Sequence, residues 1–191
     1  MDFIIGNDKF PLIKFEDNKY SHIFPVTKYQ FERYIWETAP DIDYDTIVFK
    51  RISPDEINKK NLKHLFVTNI TFKEATEYAN WLEGRLPAKD EIEKIYFYIS
   101  ENIKEIYNLP NLLKNETSID RRFFVIINKL KQNGIENFTQ ISEFCREYIT
   151  VDGRIYIKKF NCSFSEIVGP SPLEFRNKDC GFRVIKTIGE D

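Results

Sequence analysis

Apolar positions in the first half of this chain recur at helical spacing, while those near its end alternate. Phe31, Tyr34 and Ile35 follow one another at i, i+3, i+4 behind Thr27 and Gln30. Thr27 and Gln30 form a T-x-x-Q box, in which each side chain can satisfy a free backbone donor at a helix start. A helix is predicted from Thr27, closed by Pro40. A second box, Thr71 with Glu74, precedes Ala75, Tyr78, Ala79 and Leu82 at i, i+3, i+4, i+7. Gly84 follows where a left-handed C-terminal residue belongs. Leu65 to Ile70, just before this helix, reads as a short extended segment. Arg85-Leu86-Pro87, just after it, turns the chain into a third helix striped by Ile92, Ile95, Tyr96 and Ile99.

The middle admits two readings. Ser118 to Leu130 carries Ile119, Phe123, Ile126, Ile127 and Leu130, a helix-compatible stripe, yet Phe123 to Ile127 could form a buried strand. Length and the flanking Ser118 and Gly134 favour the helix, which either packs on the core or projects from it. Farther on, Arg154 to Phe160 partly alternates, Gly169-Pro170-Ser171-Pro172 is a loop, and Gly181 to Lys186 reads as a closing strand. Helices first and strands last, without a βαβ rhythm, predict an α+β domain with a small antiparallel sheet.

Composition narrows the classes. The 191 residues are enough for one domain with its own core, and aromatics make up 15% of them. A net charge of −2 provides no basic field for nucleic acid or an anionic membrane. No apolar run is long enough for a membrane span, and Met1 to Gly6 lacks the features of a leader peptide. Cys145, Cys162 and Cys180 stand 17 and 18 positions apart. They contain no CxxC pair, and an intracellular, cytoplasmic chain with reduced thiols is the expectation. His22 and His64 are too few for a three-His iron site.

Three segments together carry a resemblance. Phe24-Pro25-Val26-Thr27-Lys28-Tyr29-Gln30-Phe31 comes first. The second is Val67 to Ala75 running on through Tyr78-Ala79-Asn80-Trp81-Leu82-Glu83-Gly84-Arg85-Leu86-Pro87-Ala88-Lys89-Asp90-Glu91-Ile92-Glu93, and the third is Gly181-Phe182-Arg183-Val184. In order and spacing they resemble the formylglycine-generating-enzyme (sulfatase-modifying factor) family, a loop-rich variant of the C-type-lectin fold. The resemblance is strongest over Leu65 to Glu93. It implies structural roles for Trp81, Tyr78, Arg85 and Arg183, with the arginines paired to carboxylates such as Glu91 or Glu93. Ala88 stands where the family usually has a capping Thr, a loss of about 1 kcal/mol.

The family's oxidase chemistry rests on two cysteines five positions apart that hold copper, because Cu(I) prefers soft thiolates. Aligned through Asn161-Cys162-Ser163-Phe164, those positions here are Glu166 and Ser171. The family's calcium loop falls on Thr139 to Phe144, where Glu143 survives as a candidate ligand but Gln140 and Ser142 replace the family's Asn and first Trp. No metal or cofactor is therefore expected. Two functions follow from the resemblance. One is a non-catalytic module that binds a protein partner, as in a bacterial multi-component system, through Ser163, Phe164, Glu166, Phe175 and Arg176. The other is a divergent oxidoreductase with altered metal chemistry.

Overall fold

In a computed structural model the described residues are 1–38, 53–58, 62–133, 146–152, 154–158, 165–166, 172–176 and 178–189. Three strands open the chain: β1 (Phe3–Ile5), β2 (Pro11–Glu16) and β3 (Lys19–His22). They form an antiparallel meander that pairs Ile4 with Leu12 and Leu12 with His22. Five helices follow: α1 (Lys28–Thr38), α2 (Phe72–Trp81), α3 (Lys89–Glu101), α4 (Ile103–Leu112) and α5 (Arg121–Gln132). Beyond them lie β4 (Arg146–Val151), β5 (Arg154–Lys158), β6 (Ser165–Glu166), β7 (Cys180–Gly181) and β8 (Ile185–Thr187). The domain is α+β, and its strands make two four-stranded sheets, β1-β2-β3-β8 and β6-β5-β4-β7. Every pairing is antiparallel except the two-residue contact of β4 with β7.

Strands therefore precede the helices as well as follow them. The strand expected over Gly181 to Lys186 is two short strands. Between them, Phe182 O accepts a hydrogen bond from Val26 N at 2.9 Å, so this stretch pairs with the approach to α1. The helix at Thr27 forms with its cap reciprocal: Gln30 Oε1 accepts from Thr27 N at 2.9 Å, and Thr27 Oγ1 lies 3.4 Å from Gln30 N. It ends at Thr38, and Pro40 lies outside the described residues. The stripe over Ser118 to Leu130 is helical and packs on the core, with Phe123, Ile126, Ile127 and Leu130 buried. Asp120, not Ser118, caps it, accepting from Arg122 N at 2.9 Å.

Two large apolar clusters and a small third one, Ile92 with Tyr96 and Ile149, are buried among the described residues. One gathers Phe10, Phe24 and Phe66 against Ile95, Ile106, Phe123 and Ile126, joining the first sheet to α3, α4 and α5. The other places Phe31, Tyr78, Leu82, Tyr148 and Phe182 between α1, α2 and the second sheet. Tyr78 is its hub, with its ring stacked on Phe31 at 5.6 Å and edge-on to Phe182 at 5.2 Å.

The end of α2 differs from the expectation in an instructive way. Glu83, not Gly84, takes the left-handed conformation, with φ of 58°. Gly84 is required for closeness: a Cβ there would sit 2.5 Å from Ile185 O and 2.7 Å from Val184 Cγ1. That approach allows Arg85 and Ile185 to exchange backbone hydrogen bonds at 2.8 Å, fastening the α2–α3 turn to β8. Substituting Gly84→Ala should cost about 1–3 kcal/mol through overpacking against backbone, read as a lower urea midpoint. An unchanged midpoint would show that the turn can move away from β8.

Candidate functional site

The polar centre of the molecule lies where the first hairpin turns inward. Between β1 and β2, Gly6 N donates to Phe10 O at 3.0 Å and Lys9 adopts φ of 65°, which folds Asp8 into the interior. A Cβ at Gly6 would lie 2.7 Å from Asp8 Oδ1, so only glycine leaves room for the carboxylate. Asp8 Oδ2 accepts from Tyr78 OH at 2.8 Å and from Gln30 Nε2 at 2.7 Å, and His22 Nε2 lies 2.9 Å away. Asp8 Oδ1 accepts from Phe10 N at 3.1 Å. All four residues are at most 1% exposed.

Each partner comes from a different element: the β1–β2 turn, the end of β3, the first turn of α1 and the middle of α2. Burial pushes the Asp8 carboxyl upward, but attraction to His22 and hydrogen bonds from His22, Gln30 and Phe10 outweigh it and hold the group below its usual range. Burial and the adjacent Asp8 push the Tyr78 hydroxyl well up, so it serves as a donor. Gln30 has two tasks that only an amide can combine. Its oxygen caps α1 while its nitrogen donates to Asp8. His22 Nδ1 is buried without a hydrogen-bond partner. The cluster ties four elements together.

A second ion-paired tie sits at the start of α3. Arg85 donates to both Glu91 oxygens at 2.6 Å, Ala88 N donates to Glu91 Oε2 at 2.9 Å, and Lys19 Nζ lies 3.2 Å from Glu91 Oε1. Ala88 offers no side-chain cap, and Glu91 supplies the acceptor for its backbone donor. Burial opposes ionisation of Glu91, but the Arg85 and Ala88 hydrogen bonds outweigh it and bring its pKa down to about 2. Glu93 on the same helix is exposed. Arg183, 1% exposed, donates to the carbonyl oxygens of His22 and Ile23 at 3.0 and 2.9 Å, with its guanidinium 5.7 Å from the Tyr96 ring centre. Trp81 is half-buried, packed on Tyr34 and Tyr78.

The candidate binding residues are placed as follows. Arg176 donates to both Glu74 oxygens at 2.9 and 2.6 Å and to Asn69 O at 2.8 Å, at the N-terminus of α2. Phe175 packs against the second core, and its carbonyl oxygen lies 3.0 Å from Tyr148 OH. The backbone of Glu166 pairs with Tyr156 in β5. Ser163, Phe164 and the calcium candidate Glu143 lie outside the described residues, as do Ser171, Cys145 and Cys162. Cys180 is fully buried in β7. Among the described residues no three His, Cys, Asp or Glu side chains are grouped to hold a metal ion. None of the described helices is long and apolar enough to cross a membrane.

The Asp8 cluster escapes sequence reading because its members lie 14, 22 and 70 positions from Asp8 with no shared motif. One signal was present: the glutamine of the capping box, whose oxygen caps the helix, leaves a buried amide nitrogen that needs an acceptor. Comparison with known families finds one match, over residues 14–95, to the sulfatase-modifying factor enzyme 1-like domain. The matched segment runs from within β2 to the middle of α3 and includes His22, Gln30, Tyr78, Arg85 and Glu91. No curated protein and no solved structure matches the chain.

Two outcomes are expected from these ties. Gln30→Glu keeps the cap acceptor but sets a second carboxylate against Asp8, and should cost about 3 kcal/mol or more near neutral pH. Tyr78→Phe, which removes one donor, should cost about 1–2 kcal/mol. Urea denaturation of both variants checks the order, and equal losses would contradict the shared-acceptor geometry. Glu91 is held below its unfolded value of 4.5, so its contribution is present above pH 4.5 and fades as pH falls toward about 2. Glu91→Gln should flatten that part of the acid dependence, and an unaltered slope would contradict the pairing.

Proposed function

We propose that this chain, which carries a sulfatase-modifying factor enzyme 1-like domain over residues 14–95, serves as a non-catalytic recognition module for a protein partner. The observation that carries this reading is the character of the donors at the family's metal positions. Copper(I) needs soft sulfur, and the corresponding residues, Glu166 and Ser171, offer a carboxylate and a hydroxyl. These residues do not fit copper. No alignment shift repairs this, because the three cysteines are spaced 17 and 18 apart. Cys180, the cysteine within the described residues, is enclosed in the core.

The polar residues that remain well ordered by their partners are the ones that hold the frame: Asp8, Gln30, Glu74 and Glu91 each join separate elements. A frame maintained without its reactive donors suits binding. The face we assign is the C-terminal stretch around β6, with Ser163, Phe164 and Glu166 as contacts. Farther along, Phe175 and Arg176 anchor the chain to the second core and the start of α2.

The purified, reduced protein should consume no oxygen above buffer when given a cysteine-containing peptide. It should also form a stable complex with the product of a neighbouring gene, seen as a heavier species by light scattering. Copper- or iron-dependent oxygen turnover would favour the divergent oxidoreductase and overturn the proposal.

A further inference from the structure

We propose that the groove between the end of α4 and the face of α5 binds an extended segment of a partner protein in which acidic and apolar residues alternate. This rests on the reading of the chain as a protein-binding module and adds a second face to it. The groove encloses about 620 Å³, within the size range of specific ligand clefts. Pro110, Ile119, Phe124 and Val125 line it with apolar surface. Ile119 is anchored in the first core, and Phe124 packs edge-on against Phe123 at 5.7 Å.

The charge around the groove selects the ligand. Lys114 and Arg121 are exposed at its rim, and neither has a carboxylate partner among the described residues. Glu116, also at the rim, is exposed and accepts from Ser118 N at 3.1 Å and Ser118 Oγ at 2.6 Å, so the rim carries two cations and one carboxylate. Two free cations beside an apolar lining complement carboxylates flanking an apolar side chain. Two cations are too few for a nucleic-acid backbone, whose binding needs a broad basic stripe. The exposed Asn128 offers an amide to the backbone of an extended peptide. Both helices lie beyond the matched family segment, so this face is separate from the shared frame.

The test uses the full chain and two fluorescein-labelled peptides, one alternating glutamate with leucine and one alternating lysine with leucine. Anisotropy should show the glutamate peptide binding the wild-type chain and the lysine peptide not binding. The double variant Lys114→Glu/Arg121→Glu should weaken the glutamate peptide at least about tenfold at low salt, with the gap narrowing as salt rises. The control Lys73→Glu/Lys178→Glu makes the same net charge change on α2 and before β7, and should leave binding unchanged.

Absence of binding by the glutamate peptide, or equal loss in both double variants, would overturn the proposal. So would a dimer of the chain alone that Lys114→Glu/Arg121→Glu dissolves, since the groove would then hold a second copy. None of these outcomes touches the metal-donor argument, which the oxygen assay tests separately.

Discussion

One carboxylate oxygen organises this molecule. Asp8 Oδ2 gathers hydrogens from side chains on β3, α1 and α2, at a depth where none of them can turn to water. A buried charge is tolerated only when its hydrogen-bonding capacity is met, and leaving any of these donors unmatched costs more than a surface contact returns. The hairpin turn that carries Asp8 is thereby tied to both helices that pack on it. The same requirement explains Gly6, which leaves room for the carboxylate, and Gln30, whose amide faces two ways.

Around that tie, the arginines act as fasteners. Arg85 holds the start of α3, Arg176 holds the C-terminal stretch to α2, and Arg183 holds the last sheet crossing to β3 through backbone carbonyls. Planar guanidinium groups suit this work because several donors leave one side chain in fixed directions. Functional residues placed on such a frame are positioned precisely enough for either chemistry or recognition.

Much of the helical layer was legible, since its signals are local. Thr71 with Glu74 and the stripe from Ala75 to Leu82 sit within a dozen residues, and α2 forms on them. The opening meander was not legible. β1 has only three residues, and β2 places Pro11, Leu12 and Ile13 together without alternation. α4 was hidden by Pro110, which lies in its last turns, where little helix remains to be disrupted. At Gly84 the residue was singled out for the wrong physical reason, since its neighbour Glu83 turns left-handed while Gly84 permits contact with β8. The polar centre was illegible because hydrogen bonds across 70 residues leave no spacing to read. The groove between α4 and α5 was equally hidden, since it exists only once α5 packs on the core.

The proposed recognition role requires that the chain hold no copper through paired thiolates. Copper K-edge X-ray absorption on the reduced chain, after titration with Cu(I) and desalting, tests it most directly. The account predicts no retained copper beyond a trace, with no sulfur shell. One copper per chain held by two sulfurs would contradict it.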